Sequence, residues 1–575
     1  MKIFTCRRQL MFVVCLLLGC LSMQAADDGL ITEQVTLNGV LAGSLPTIIT
    51  DDNKNLITNL KINGEINGTD LKFIREMAGR SVNGDETEGK LSILDLSDTK
   101  IVSGGKRYFH DMVNGASYFT KDDEIGDNAF YQCSGLKSLT LPDGITLIGE
   151  KAFLRCTGLT NITIPEGVTF IGMSAFIYCR NLTSITIPAG VTTISSFTFE
   201  GCTSLTNLTL PDDLTKIGDG AFGECSGLTN LTFPSSLTKI GDNAFYQCSG
   251  LKSLTFPNGL TEIGDKAFAY CSGLRSLTLP DGLTKIGAGI FQNCSSLMSL
   301  TIPSSITEVG SNAFDGCSSL NEVRYIIHDD LAAYVQRGHP DMDFKCPFRY
   351  YLNGKEITSL EIPTGVTSIK KNAFCGCSSL TNLTLPAGIT EIGDKAFCIC
   401  SGLGSLTLPD GITEINSYTF ATCLNLTSLT LSANLTSISL GGFKGCFALK
   451  NLTIPSGLTS LSNLHITDIS TTIESVYVSS SVPATAGSFF DGVDLSNCTL
   501  YVPKGMIWNY KLADVWKNFG KIIEYDTTGI DKVTTRSDVK VISRFSLDGQ
   551  RLTAPTKGMN IVVYSDGSIK KVAVQ

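Results

Sequence analysis

A phenylalanine returns every 23 residues through most of this chain. It stands at Phe130, Phe153, Phe176, Phe199, Phe222, Phe245, Phe268, Phe291 and Phe314 and, after a gap, at Phe374, Phe397, Phe420 and Phe443. A fixed period of this size is the mark of a solenoid, in which each unit buries its apolar face only against its neighbours. The period carries a whole pattern with it: Cys-x-x-Leu-x-x-[Leu/Ile]-x-[Leu/Ile/Phe]-Pro-x-x-[Leu/Ile/Val]-x-x-[Ile/Val]-[Gly/Ser]-x-x-x-Phe. In the copy at 127–149, Leu139 and Leu141 should point inward and Ser138 and Thr140 outward, as the two-residue period of a strand requires. Pro142 cannot donate to a ladder and ends the strand, and Asp143-Gly144 makes a turn. Ile145 and Ile148 form a second inward step, and Phe153 is the large filler. Stacked copies should line up as ladders about 4.7–4.9 Å apart.

The rest of the chain is organised around this array. Residues 1–26 read as an export signal, with Lys2, Arg7 and Arg8 ahead of an apolar run and a small-residue exit at Gln24-Ala25-Ala26. Leu17-Leu18-Gly19-Cys20 offers a rival exit, a lipobox in which Cys20 is lipidated; both routes stay open. Residues 27–124 are expected to be an N-terminal cap, with a helix over 69–79 started by Thr69 or Asp70. The solenoid is placed at 125–470, broken at 322–355 by an insertion with helix-like and hairpin-like parts. Insertions in solenoids often bulge from a functional face, so specificity is expected there, in the cap or in the tail. Residues 471–526 form a C-terminal cap with an amphipathic helix over 505–519; its Trp508 and Trp516 either cover the last coil or form a partner patch. A linker at 527–540 leads to a small β unit at 541–575.

These features resemble the BspA-like leucine-rich repeat surface proteins of bacteria: the 23-residue period, the Ile-Gly-Asp-x-Ala-Phe-x-x-Cys-x-x-Leu core at 240–251 and the Ile-Pro or Leu-Pro strand ends. The resemblance spans roughly residues 57–525 and implies a leucine-rich repeat solenoid. It also implies a cell-surface or secreted protein that adheres to host matrix proteins or to other bacteria. Residues 541–575 are similar to short C-terminal sorting-type segments of exported proteins.

Composition narrows the function. A net charge of −9 lacks the basic footprint that nucleic acid needs. The chain has no dinucleotide, P-loop or nucleophile-elbow motif, and its four histidines follow no metal spacing. Only His328 and His339 with Asp329, Asp330, Asp341 and Asp343 gather in one stretch. The reading is therefore non-enzymatic, with no cofactor and no metal. The partner is an extracellular protein or glycan, and a membrane enters only through a lipid anchor or C-terminal sorting.

Two sets of residues stand out as candidate sites. Thirteen cysteines, from Cys133 to Cys446, each follow the repeat Phe by three and should form a buried column of core thiols. Cys375 and Cys398 sit one after the Phe on adjacent coils and could be a disulfide or two free thiols. The candidate binding face is the pair of outward columns: Ser138, Asn161, Ser184, Asn207, Asn230, Ser253 and Ser276 beside Thr140, Thr163, Thr186, Thr209, Thr232, Thr255 and Thr278. Hydrogen bonding along the stack is the competing explanation for these columns. Glycan capture calls for aromatic platforms on the strand face, and the repeats place Thr and Ser/Asn there instead. A passive stalk or coat layer is the third class.

Overall fold

The computed structural model describes residues 29–328, 330–338, 340, 348–461 and 473–525, and 541–546, 551–552, 554, 558–564 and 569–574 nearer the C-terminus. The signal region with Cys20, the 527–540 linker, and Asp329, His339, Asp341, Asp343 and His465 lie outside them.

The repeats form the parallel β-solenoid that the period requires. Ser138–Thr140 buries Leu139 and turns Ser138 and Thr140 outward, and it pairs with Asn161–Thr163 in parallel. A second strand, Leu147–Ile148, pairs with Phe170–Ile171. The offset is one whole repeat, so each core residue meets its own copy; a slip of one residue would turn Leu139 into water. The third side of the coil has no strand, yet its backbone still reaches the next coil. Phe130 donates its N–H to the Ala152 carbonyl at 2.7 Å and Phe153 to Ala175 at 2.7 Å. Two positions per repeat adopt left-handed backbone to achieve this, as at Lys151 (φ 55°) and Arg155 (φ 58°). Such a conformation costs a non-glycine residue about 1–2 kcal/mol, offset by the N–H bonds it aims at the Met173 and Ile177 carbonyls.

Inside, the phenylalanine rings stack face to face along the axis. Phe153 and Phe176 have centroids 5.0 Å apart at 13°, and Phe397 and Phe420 are 5.6 Å apart at 1°. The cysteines run beside them. Cys156 donates its thiol to the Phe130 carbonyl at 3.0 Å and Cys248 to Phe222 at 3.0 Å, and the contact recurs coil after coil. The same Phe carbonyl already accepts a backbone N–H, from Cys133 in the case of Phe130. The thiol thus fills a second lone pair while remaining small and apolar.

Because on this strandless side every coil donates toward the next, the first coil has carbonyls there with no coil to serve them. Glu150, Ala152 and Leu154 accept from Asn128, Phe130 and Gln132. Their first-coil equivalents are Asp127, Ala129 and Tyr131. Tyr108 donates its hydroxyl to Asp127 at 2.8 Å, and the fully buried Arg75 reaches Ala129 at 3.0 Å and Tyr131 at 3.4 Å. Arg80 Nε takes the Gln132 carbonyl at 2.9 Å. Arg75 projects from the helix Gly68–Met77, which starts earlier than its sequence predicts. Asn67 is the cap and Asp70 sits three residues in, closing a capping box, because Asn67 holds the extended backbone that a cap needs. The sheet also begins before the repeats: Val35–Val40, Asn59–Ile66 and Ile93–Asp95 pair in order and lead into Ser138–Thr140.

The described part of the insertion is built into the solenoid rather than standing apart as a separate module. Glu322–Ile327 and Phe348–Leu352 continue the parallel sheet, and the helix Leu331–Arg337 buries Tyr334 and Val335. When the repeats restart, the same carbonyls need donors. The Tyr334 hydroxyl serves Ala373, the Tyr350 hydroxyl serves Cys375 at 2.8 Å, and the Phe348 N–H serves Gly376 at 3.0 Å. These carbonyls are the counterparts of Ala129, Tyr131 and Gln132.

At the far end, Ser475–Val478, Thr499–Pro503 and Lys521–Tyr525 add three more strands. The single helix expected over 505–519 is two pieces, Ile507–Leu512 and the 3-10 turn Trp516–Asn518, broken where Val515 takes φ 70°. Trp516 is buried and donates to the Ala484 carbonyl, whereas Trp508 stays 66% exposed on the outer side of the short helix. The C-terminal segment is its own antiparallel sheet of Val541–Ser546, Arg551–Leu552, Gly558–Tyr564 and Ile569–Val574.

An Arg75→Met variant should lose about 1–3 kcal/mol for each carbonyl left unpaired. Hydrogen exchange should speed up over residues 127–160 and stay unchanged over 374–450, as expected when each coil feels only its neighbours. Uniform acceleration along the chain would contradict the capping role.

Candidate binding face

All fourteen residues of the two outward columns lie on the solvent side of the first ladder, as the strand period places them. They meet in register: Thr186 faces Thr209, Thr232 faces Thr255 and Thr278 faces Thr301. Their hydrogen bonding separates them from a neighbouring threonine column. Thr160 donates to the Lys137 carbonyl at 2.9 Å and Thr206 to that of Thr183 at 3.2 Å, so these hydroxyls are consumed within the stack. Among the described residues, the hydroxyls from Thr140 to Thr301 have no protein partner. In the Ser/Asn column, Ser253 reaches Asn230 at 3.4 Å. Internal ladder bonding therefore accounts for the neighbouring column and leaves the face itself with spare donors and acceptors.

Charge interrupts the neutral column at defined places. Asp95 stands beside Thr140 and is bridged by Lys61 at 3.1 Å; Lys61 also holds Asp98 at 2.8 Å. Arg324 and Arg349 follow Thr301 in register, with Arg324 paired to Glu322 at 3.0 Å and Arg349 to Glu356 at 3.5 Å. Glu361 sits opposite Thr384. Next to the first break lies an open groove of about 510 Å³, where Thr255, Thr278 and Thr301 meet Asn258, Asp281 and His328. His328 Nε2 is 3.4 Å from Asp281. His110 contacts Ser117 at 3.0 Å, and the described residues contain no group of three or more metal-type ligands.

Sequence reasoning missed one feature of this face. After Thr453 the column continues as Tyr477 and Tyr501, which stack at 4.4 Å and 5°. The intervals here are 24 residues rather than 23, so counting by the period passes over them. The signal that was available is the strand-and-proline run Leu500-Tyr501-Val502-Pro503.

The cysteine column is interior, and burial pushes its thiols up, Cys202 and Cys248 to about 12. Such thiols are inert at neutral pH. Cys375 and Cys398 differ: both are half-buried free thiols on adjacent coils. The mutual influence of the two thiols lowers Cys398 and, together with burial, raises Cys375.

More than half of the chain, residues 123–252, 238–327 and 348–474, matches the family model for the BspA-type leucine-rich repeat region. The chain belongs to that family. Solved structures similar to it include a leucine-rich repeat protein from Bacteroides ovatus, 28% identical over 64% of this chain and 80% of that one, with a TM-score of 0.39. Others are a leucine-rich cell-surface protein from Faecalibacterium prausnitzii (21%, 74% and 87%, TM-score 0.23) and the pneumococcal vaccine antigen PcpA (21%, 74% and 96%, TM-score 0.34). A search of curated proteins found no match.

Alkylation of the native protein at pH 8 should label Cys398 before any column thiol, with the column reacting only after unfolding. Peptide mapping by mass spectrometry reads the order. Equal labelling of Cys225 and Cys398 in the folded state would refute it.

Proposed function

We propose that this chain is an exported, non-enzymatic adhesin that holds a protein of the host matrix or of another cell surface against its strand face. The observation that carries the reading is the run of outward threonines with unused hydroxyls beside a second threonine column whose hydroxyls are used. A flat, neutral, in-register surface with spare hydrogen-bonding groups suits the polar main chain and side chains of a protein ligand. Hot spots then fall where the column changes character, at the groove with Asp281 and His328 and at the arginines Arg324 and Arg349. Family membership supports the surface role.

Residues 27–575 immobilised on a surface plasmon resonance chip should retain at least one matrix protein such as fibronectin or fibrinogen. Thr232→Arg combined with Thr255→Glu, both exposed, should weaken that binding at least tenfold without shifting the melting temperature. Arg324→Glu tests the insertion without deleting it, since removal of 322–355 would strip the cap from the second array. No retention of any matrix or cell-surface protein would favour the passive stalk.

A further inference from the structure

The C-terminal end of the strand face differs in chemistry from the rest. The outward column passes in register from Thr453 to Tyr477 to Tyr501. The inward residues of these strands, Val476, Val478, Leu500 and Val502, already fill the core, so the two rings are not required there. Both remain partly exposed. They are also fixed in place. Tyr501 covers one face of Tyr477, with the ring centroids 4.4 Å apart. Tyr525 packs edge-on at 6.0 Å and 88°, tethered by its own hydroxyl to the Val478 carbonyl at 3.1 Å.

The opposite face of Tyr477 looks toward the preceding coil. The outward residue there is Thr453, and the one before it is Thr430; neither side chain is long enough to cover a phenol ring. The result is a corner: an aromatic wall over a floor of Thr430, Thr453, Asn451 and Ser475, whose polar side chains have no protein partner among the described residues. Charges at the margin are taken up locally. Lys450 pairs with Glu474 at 2.8 Å, and Glu524 accepts the N–H groups of Gly505 at 3.1 Å and Ile507 at 3.3 Å.

We propose that this corner is a carbohydrate subsite that binds a neutral hexopyranose unit of a polysaccharide. A sugar ring presents a face of axial C–H groups and a rim of hydroxyls. The C–H face packs on a flat aromatic surface through dispersion and the ring quadrupole. The rim hydroxyls need neutral donors and acceptors in the ring plane, which the Thr/Asn/Ser floor supplies. A pre-stacked, tethered ring loses little side-chain freedom on binding, which favours affinity. An anionic ligand would meet a carboxylate margin already neutralised by its own lysine. An apolar helix would find hydroxyls in place of a hydrophobic floor. The subsite is separate from the protein-binding reading and stands or falls without it.

The test is native affinity electrophoresis of residues 27–575 in gels containing laminarin, mannan, galactan or dextran, with dextran sulfate as the charged comparison. At least one neutral polysaccharide should retard the protein. Tyr477→Ala should raise the apparent dissociation constant at least tenfold, and Tyr477→Phe should keep most of the retardation. Thr453→Arg leaves the stack intact and lays a side chain over the open ring face; it should abolish retardation even if Tyr477→Ala proves poorly folded. Glu166→Gln, on an exposed turn many coils away, should have no effect. The proposal is overturned by no retardation in any neutral gel, by retardation in dextran sulfate alone, or by wild-type retardation of both Tyr477→Ala and Thr453→Arg. It is also overturned if Tyr477→Ala loses a matrix protein while no polysaccharide is bound, which would assign the corner to a protein.

Discussion

The hydrogen bond from one coil's Phe N–H to the carbonyl of the residue before the next coil's Phe sets the terms for the whole structure. It is repeated on a side of the coil that has no strand, so it decides where the backbone must turn left-handed and which residues can tolerate that. It places the phenylalanine rings in a single file and leaves one lone pair on each Phe carbonyl for a thiol. It also gives the stack a direction. A directional stack has one end rich in donors and one rich in acceptors, and a buried unpaired carbonyl is expensive. The N-terminal region is built around that fact: Arg75, Tyr108 and Arg80 are the donors of a coil that is not there.

The same logic reinterprets the insertion. Its tyrosines Tyr334 and Tyr350 occupy the positions of a missing coil, so its buried part is structural, and the exposed residues among its described part include Arg324, His328 and Arg349. Capping and a charged outer surface are thereby divided between two faces of one segment.

Much of this was legible in the sequence. The Phe, Cys, Leu and Ile positions follow from periodicity and burial alone, and so do the outward Ser/Asn and Thr columns, because a strand's period of two admits only one assignment. Other features were not legible. Arg75 reads as a surface charge on a short helix, since nothing local shows that it will meet a row of carbonyls more than fifty residues away. The one-residue slip that produces Tyr477 and Tyr501 hides them from any count in steps of 23. The helix over 505–519 fails because its apolar pattern says nothing about the left-handed turn at Val515, which frees Trp516 to reach Ala484 and leaves Trp508 outside. The distinction between the face threonines and their neighbours Thr160, Thr183 and Thr206 was also hidden, because both sets repeat every 23 residues as polar strand-edge positions and differ only in where their hydroxyls point.

Perfect repetition has a further consequence for how the chain finds its own alignment. A displacement by 23 residues lays every core side chain on an equivalent one, so the interior cannot tell correct pairing from pairing one unit off. Only the aperiodic parts can: the helix with Arg75, the tyrosines of the insertion and the closing strands act as punctuation. Between those marks the number of units is nearly free to vary. Gain or loss of one unit by recombination would lengthen or shorten the strand face without disturbing either boundary, which makes the reach of the molecule an inherited quantity that selection can adjust in steps of one coil.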